Sequence, residues 1–286
     1  METLNKQKFV FQTDSNIVCD TYNTQANYLI EYNEQCRSKD YCAVYFCSND
    51  IYYPNTEEIF KKRIIEKNFF EWYNSRIEKA YKHIFIRDVF KQWYLSGINS
   101  TINSPEKLVD FLKKEIKGYH TIMLGSSAGA YAAILYGSIL KAEKIIAFNP
   151  QFELKSLLER SSESINPLIF RLRNSSSKKY YDIVPFIGSD MNIYYYFSNR
   201  SKWDIEQQSH VGNIKGIHQL PFKSAHHGIP FLKVALPAAL NLEDEWLKTY
   251  ENKVQHPLLF TIKLVGIKKA IMGFITQAHM AYQKRH

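Results

Sequence analysis

The sequence is poor in cysteine and lacks the signatures of several protein classes. Its four cysteines all lie within residues 19–47, and their spacings differ from the C-x-x-C pairs of structural zinc sites. The first residues lack the apolar core of a signal peptide, and no apolar run reaches the roughly 20 residues that span a bilayer. We therefore expect reduced thiols, no bound metal and a cytoplasmic location.

Zinc-finger, RNA-recognition and Walker motifs are also missing, although the chain is basic. Its formal net charge is +9 over 286 residues, which suits an anionic substrate, a membrane surface or nucleic acid. Because the basic residues are dispersed and no nucleic-acid motif is present, no nucleic-acid partner is expected. The 45% hydrophobic and 23% charged content is ordinary for a globular protein, and the length suffices for one large α/β domain.

One short segment carries the pattern of a catalytic turn. Residues 125–129 read Gly-Ser-Ser-Ala-Gly, which fits the G-x-S-x-G nucleophile elbow. An apolar run at 121–124 predicts a buried strand before it, and small residues at 128–140 predict a helix after it. Strand, tight turn and helix are the context that the motif requires. The pattern therefore indicates the Ser127 hydroxyl as a nucleophile.

Predicted strands and helices alternate along the chain, which favours an α/β fold with a mostly parallel sheet and helices on both faces. An insertion, 151–190, is expected after the sixth strand, as a lid or acceptor-binding element. The predicted catalytic domain is 1–250 and the tail 251–286. The predicted strands are 28–32, 42–47, 83–86, 121–124, 144–148, 192–197 and 216–220, after an N-terminal hairpin at 9–11 and 17–19. The predicted helices are 56–67, 104–116, 128–140 and 229–250.

The tail differs in character from the rest of the chain. Residues 256–286 combine apolar side chains with Lys263, Lys268 and Lys269, which is typical of a basic amphipathic helix. Such a helix packs on its own domain, lies on a membrane surface or docks on a partner. All three alternatives stay open at the level of sequence.

A serine nucleophile needs a base, and the base needs an orienting carboxylate. Asp204 follows the predicted strand 192–197, and His227 follows the last predicted strand, so both stand with Ser127 at carboxyl ends of strands. His226 is the alternative base. Three other carboxylates compete with Asp204: Asp182, Asp190 and Glu206.

An acyl oxyanion needs two backbone N–H donors. The residue after the nucleophile, Ala128, is expected to supply one of them. The other is expected from the loop after strand 42–47, at Ser48 or Asn49.

The elbow at 125–129, followed in order by Asp204 and His227, resembles the α/β-hydrolase superfamily over roughly residues 28–250. Asp204 lies several residues farther from its strand than the family's acid often does. Phe-Ile-Arg-Asp at 85–88, Trp-Tyr at 93–94 and Gly97 also resemble bacterial capsule polysaccharide O-acetyltransferases of that fold.

The narrower resemblance implies an acyl-serine intermediate, acetyl-CoA as donor and a capsular or cell-surface polysaccharide as acceptor, with no bound cofactor. With such an acceptor, the aromatic residues of the insertion, Tyr180, Tyr181 and Phe186, could stack on sugar rings, and a capsule-synthesis complex is a candidate partner of the tail 256–286. The alternatives are an esterase or thioesterase with the same triad, and a non-catalytic component of a secretion or glycosylation complex.

Overall fold

The computed structural model describes residues 9–162 and 167–283, and a seven-stranded sheet runs through its centre. The spatial order is β1-β3-β2-β4-β5-β6-β7; β1 is antiparallel to β3, and every other pairing is parallel. The strands are β1 (Tyr28–Tyr32), β2 (Tyr41–Phe46), β3 (Lys82–Ile86), β4 (His120–Ser126), β5 (Lys144–Phe148), β6 (Ile193–Ser198) and β7 (Ile217–Phe222).

Helices cover both faces of this sheet, as the alternating pattern predicted. The helices are α1 (Phe11–Asp14), α2 (Asn16–Thr24), α3 (Glu57–Phe60), α4 (Pro105–Glu115), α5 (Ala128–Leu140), α6 (Lys155–Glu159), α7 (Pro167–Leu172), α8 (Lys202–Val211), α9 (Leu236–Leu240), α10 (Asp244–Lys248), α11 (Pro257–Val265) and α12 (Ile267–Gln283). A π-helical stretch, Lys61–Glu66, continues α3, and 3₁₀ turns lie at Ser176–Tyr180, Val184–Phe186 and Lys233–Ala235. One buried apolar layer includes α4 and α5, and the other includes α2, α9 and α11. This is an α/β-hydrolase-like fold.

The predicted N-terminal hairpin is wrong, because the first apolar triplet leads into α1, which begins at Phe11, and the second lies within α2. Val18 and Tyr22, one helical turn apart, are both buried. The Asp14 carboxylate accepts the Val10 N–H, which closes the turn that opens α1. Short apolar triplets do not separate strand from helix by periodicity, so only packing decides between them.

The predicted helix at 229–250 is also wrong in its extent. The segment consists of the 3₁₀ turn Lys233–Ala235, α9, which directly follows that turn, and α10. Residues 241–243 separate α9 from α10. Pro237 has no amide hydrogen, so it stands in the first turn of α9 and not within a longer helix. The Asn241 side chain then accepts the Glu78 N–H and donates to the Arg76 carbonyl, which ties this break to a distant loop.

The insertion follows β5, which is the fifth strand of the chain and not the sixth. It consists of α6, α7 and the two 3₁₀ turns at 176–180 and 184–186. Its aromatic residues Tyr180 and Tyr181 are buried, and Tyr180 stacks on Phe186. These tyrosines pack the insertion onto the sheet, so they do not offer ring faces to a sugar as expected.

The tail forms two helices and not one. Gly266, with φ of +80°, separates α11 from α12 because this left-handed conformation costs glycine little. Within the residues that the structure describes, no helix combines the length and the apolar character needed to cross a bilayer.

Candidate active site

The elbow forms as a sharp turn between β4 and α5. Ser127 has φ of +52°, in the left-handed region that non-glycine residues rarely adopt, and its N–H donates to the Phe148 carbonyl at 2.9 Å. A Cβ on Gly129 would lie 2.3 Å from the Phe46 carbonyl oxygen, and one on Gly125 would lie 2.2 Å from the Gly129 carbonyl carbon. Only glycine permits this approach of strand and helix, which leaves the Ser127 hydroxyl half-exposed at the sheet edge.

Three side chains from three different segments form one hydrogen-bonded chain. Ser127 Oγ lies 2.9 Å from His227 Nε2, and His227 Nδ1 lies 2.6 Å from Asp204 Oδ1. Asp204 is 1% exposed, so its carboxylate is held in place and is screened from water. When the carboxylate accepts a hydrogen bond from the Nδ1–H group, Nε2 carries no proton and can accept a hydrogen bond from the serine hydroxyl.

The structure places Asp204 in the first turn of α8, whereas the sequence suggested a loop. The Ser201 hydroxyl caps this helix by accepting the Asp204 N–H. Asp204 Oδ2 is buried without a hydrogen-bond partner among the residues described here, so the contact with His227 carries the carboxylate's polar interaction.

Two polar side chains at strand ends hold the loop that carries His227. Asn149, directly after β5, donates from Nδ2 to the Gly228 carbonyl, and its Oδ1 accepts the Ser198 N–H at 2.9 Å. The Ser198 hydroxyl donates to the His226 carbonyl at 2.6 Å. The backbone on both sides of His227 is thereby tied to the ends of β5 and β6.

The other candidates lie apart from this chain. His226 lines the cavity into which Ser127 and His227 also project, but its side chain has no hydrogen bond to Ser127. Its backbone N–H donates to Ser224 Oγ. Burial, followed by the charge of His227, lowers the pKa of His226. The rival carboxylates are used elsewhere or exposed: Asp182 pairs with Lys155 and His210, Glu206 pairs with Arg160, and Asp190 is exposed.

The predicted oxyanion donors Ala128 and Ser48 differ in their hydrogen bonds. The Ala128 N–H opens α5, where a helix has no preceding carbonyls to bond. The Ser48 N–H, by contrast, donates to Glu71 Oε2 at 2.6 Å, and the Ser48 hydroxyl donates to Glu71 Oε1 at 3.1 Å. Burial raises the pKa of Glu71, against the lowering by its bonds from Ser48. The N–H of Ser48, one of the two residues predicted to supply the second donor, is therefore already hydrogen-bonded to a carboxylate.

Two neighbouring cavities open at this site. The first, of about 140 Å³, is lined by Ser48, Asn49, Asp50, Glu71, Ser126, Ser127, His226, His227, Gly228, Ile229 and Lys233. The second, of about 310 Å³, shares Asn49 and Asp50 with it and is otherwise lined by Gln12, Lys91, Trp93, Leu168 and Ile169. Leu168 and Ile169 belong to α7, so the insertion forms part of the wall of the second cavity.

Sequence reasoning missed three residues of the site. Trp203 stacks on the His227 imidazole, with ring centroids 4.7 Å apart. Gln151 is fully buried, approaches Ser127 Oγ from Nε2 at 3.4 Å and accepts the Trp93 indole N–H at 2.9 Å. Glu71 lies far from the elbow in sequence. Only the position of Trp203, next to the candidate acid, gave any signal.

Comparison with known proteins gives similarities of fold at low sequence identity. Neither the protein-family models nor the curated proteins match this chain. Among solved structures, the capsule O-acetyltransferase of Neisseria meningitidis serogroup A is 14% identical with a TM-score of 0.47, covering 68% of this chain and 82% of that one. A variant of that enzyme in complex with CoA is 14% identical with a TM-score of 0.44, covering 71% and 90%.

An S-formylglutathione hydrolase from Agrobacterium tumefaciens is 10% identical with a TM-score of 0.46, covering 79% of this chain and 90% of that one. These solved structures include an acyltransferase and a hydrolase. The present chain is similar in fold to both, at 14% and 10% identity.

Proposed function

We propose that this chain is a serine-dependent O-acyltransferase that moves an acetyl group from acetyl-CoA to hydroxyls of a bacterial capsular or cell-surface polysaccharide. The observation that carries the proposal is the chain of hydrogen bonds from Ser127 through His227 to the buried Asp204. A hydroxyl that contacts a carboxylate-oriented imidazole is the arrangement that activates serine for acyl transfer. The narrower choice of donor and acceptor follows from the resemblance of residues 85–97 to capsule O-acetyltransferases.

In the proposed reaction Ser127 Oγ attacks the thioester carbonyl while His227 Nε2 takes the hydroxyl proton. The C–S bond then breaks, and the CoA thiolate receives that proton from His227, which leaves acetyl-Ser127. An acceptor hydroxyl attacks this ester, again with its proton passing to Nε2, and the proton returns to Ser127 as the sugar ester leaves. The Ala128 N–H would stabilise the oxyanion in both steps, and the second donor would be Asn49, or Ser48 once its N–H is released from Glu71.

Charge and shape support this proposal. The net charge of +9 favours a donor that carries phosphates and an acceptor that is anionic. The smaller cavity at Ser127 suits a short acyl group, and the larger one, walled by α7 and Trp93, offers room for a second substrate beside it. Peripheral attachment on the cytoplasmic side of a membrane would keep such an enzyme close to polymer synthesis.

An esterase or thioesterase is the second candidate, because the same three side chains would serve water as the acceptor. A non-catalytic component of a secretion or glycosylation complex is the third. The short contact between Ser127 and His227 favours the two enzymatic candidates over it.

The acyl-serine step is tested by incubating the protein with acetyl-CoA and measuring intact mass. We expect an acetyl adduct that is absent from Ser127→Ala. Ser138→Ala is the matched control, since its hydroxyl lies in the same helix, α5, buried and without a hydrogen-bond partner among the described residues. An adduct that persists in Ser127→Ala would contradict the proposal.

The acceptor is tested by following CoA release with and without a capsular polysaccharide stripped of acetyl groups. A transferase releases CoA faster when the polymer is present and leaves the polymer acetylated. Release at one rate in both samples, with free acetate as product, would identify the hydrolase instead.

A further inference from the structure

Helix α12 packs one side against the domain at regular helical spacing. Ala270 is fully buried, and a Cβ on Gly273 would lie 2.5 Å from Val234 Cγ1. One turn later Gln277 Oε1 accepts the Lys233 N–H at 2.9 Å. Positions 270, 273 and 277 therefore form the inner face of the helix, which rests on the 3₁₀ turn Lys233–Ala235.

Outside the inner face, α12 carries large apolar side chains that contact solvent. Each of them is between 50% and 62% exposed, and together they form what we call the outer face: Ile267, Ile271, Met272, Phe274 and Ile275. Single exposed apolar residues are ordinary, but a continuous patch on one helix marks an interaction site. Packing on its own domain thus accounts for only one side of this helix.

The charge of the surrounding segment indicates what covers the outer face. From Asn252 to His286 the chain contains no aspartate or glutamate, whereas it contains Lys253, Lys263, Lys268, Lys269, Lys284 and Arg285. Lys268 and Lys269 are exposed on α12 itself. An apolar stripe beside cationic side chains complements the headgroups and acyl chains of an anionic bilayer. A second copy fits less well, because two such segments would repel each other.

We propose that the outer face of α12 lies in the interface of an anionic phospholipid bilayer, with Lys268 and Lys269 on the headgroups. The inner face contacts Lys233, and Lys233 also lines the cavity of Ser127. Membrane contact would therefore hold the domain that carries this cavity against the bilayer. This inference does not depend on the acyl-transfer reaction, since it rests on exposure and charge alone.

The test is cosedimentation of the full chain with vesicles of equal parts phosphatidylcholine and phosphatidylglycerol, and with vesicles of phosphatidylcholine alone. We expect binding to the anionic vesicles that weakens as salt is raised but does not vanish. Ile271→Gln with Ile275→Gln should lower the partition coefficient by about 100-fold, at about tenfold for each apolar side chain removed. Lys268→Gln with Lys269→Gln should lower it by about tenfold on anionic vesicles only.

Val254→Gln is the matched control, because Val254 is 56% exposed in the same segment but lies outside the helix. Its binding should equal that of the original chain, and all variants should unfold at unchanged temperature. Absence of binding to either vesicle would overturn the proposal. So would a dimer in light scattering that the Ile271/Ile275 variant dissociates while vesicles bind nothing. Hydrolysis of a soluble ester should be unchanged in every variant, which separates this result from a failure of the proposed reaction.

Discussion

The imidazole of His227 lies parallel to the indole of Trp203, with ring centroids 4.7 Å apart and 17° between the planes. This contact fixes the plane of the ring whose two nitrogens face Ser127 and Asp204. It also places the indole face where a positive charge would form when His227 accepts the serine proton.

Replacing this indole should slow acyl transfer. Trp203→Leu removes the aromatic face, and we expect kcat/KM for p-nitrophenyl acetate to fall about tenfold, the worth of one stacked or cation–π contact. Trp203→Phe keeps a ring in place and should stay within about threefold of the original chain. Equal rates for the leucine variant and the original chain would show that the stacking has no role in the reaction.

Replacement of His227 and replacement of its neighbour His226 should lower the reaction rate to very different extents. His227→Ala removes the group that contacts Ser127 and should lower kcat by about 10³-fold or more. His226→Ala removes a side chain that lines the cavity without bonding to Ser127, so we expect a change of only a few-fold. Labelling by a fluorophosphonate probe should follow the same order. The reverse order would move the base to His226.

The negative charge of Glu71 should slow the reaction, because it lies beside the Ser48 N–H, where the oxyanion would form. Glu71→Gln removes the negative charge from the cavity, and we expect acylation to accelerate by about tenfold, which is modest for charge repulsion at a partly buried site. Because burial raises the pKa of Glu71, lowering the pH neutralises it early, so the difference should shrink in acid. Stopped-flow measurement of the acylation burst checks this, and a slower variant would show that Glu71 instead organises the loop.

A side chain at Gly129 should disturb the elbow. Its Cβ would meet the Phe46 carbonyl at 2.3 Å, and because backbone atoms cannot move aside, Gly129→Ala should cost about 1–3 kcal/mol of unfolding free energy and most of the activity. Gly137→Ala is the matched control in the same helix, since the atoms nearest to its Cβ would be side-chain atoms, Ile145 Cδ1 at 2.6 Å and Cγ1 at 2.9 Å, and not backbone. Urea denaturation with parallel ester assays measures both. A Gly129→Ala variant as active and stable as Gly137→Ala would contradict the close approach.

Acid should destabilise the fold through His83. This residue is 1% exposed, and burial lowers its pKa to about 4 from 6.5. The unfolded chain then binds a proton that the folded chain does not, so stability is complete above pH 6.5 and is lost as the pH falls toward 4. The loss attributable to His83 is up to about 3 kcal/mol. His83→Phe should lack it in urea titrations, and equal acid sensitivity of the two proteins would exclude His83 as the cause.

Much of the architecture was predictable from local pattern. The strands from 28–32 to 216–220 and the elbow helix were expected within a few residues, because buried parallel strands are continuous apolar runs and the glycines at 125 and 129 mark a tight turn. The errors fell where short apolar triplets or a proline left the local pattern ambiguous, at 9–19 and 229–250. The burial of Val18 decided that the first segment is helical, and the lack of an amide hydrogen on Pro237 decided where a helix begins in the second.

By itself the sequence determined the alternation of strands and helices from 28 to 220, the candidate serine, and the basic and apolar character of the tail. These could be read from the sequence because periodicity, glycine spacing and charge are local properties. Only the tertiary structure decided which histidine contacts Ser127, which carboxylate contacts that histidine, and that Glu71 contacts Ser48. These are contacts between residues far apart in the chain, so they depend on how the sheet assembles. The same holds for α12, whose apolar residues were visible in the sequence but whose outward direction follows from the contacts of Ala270 and Gly273.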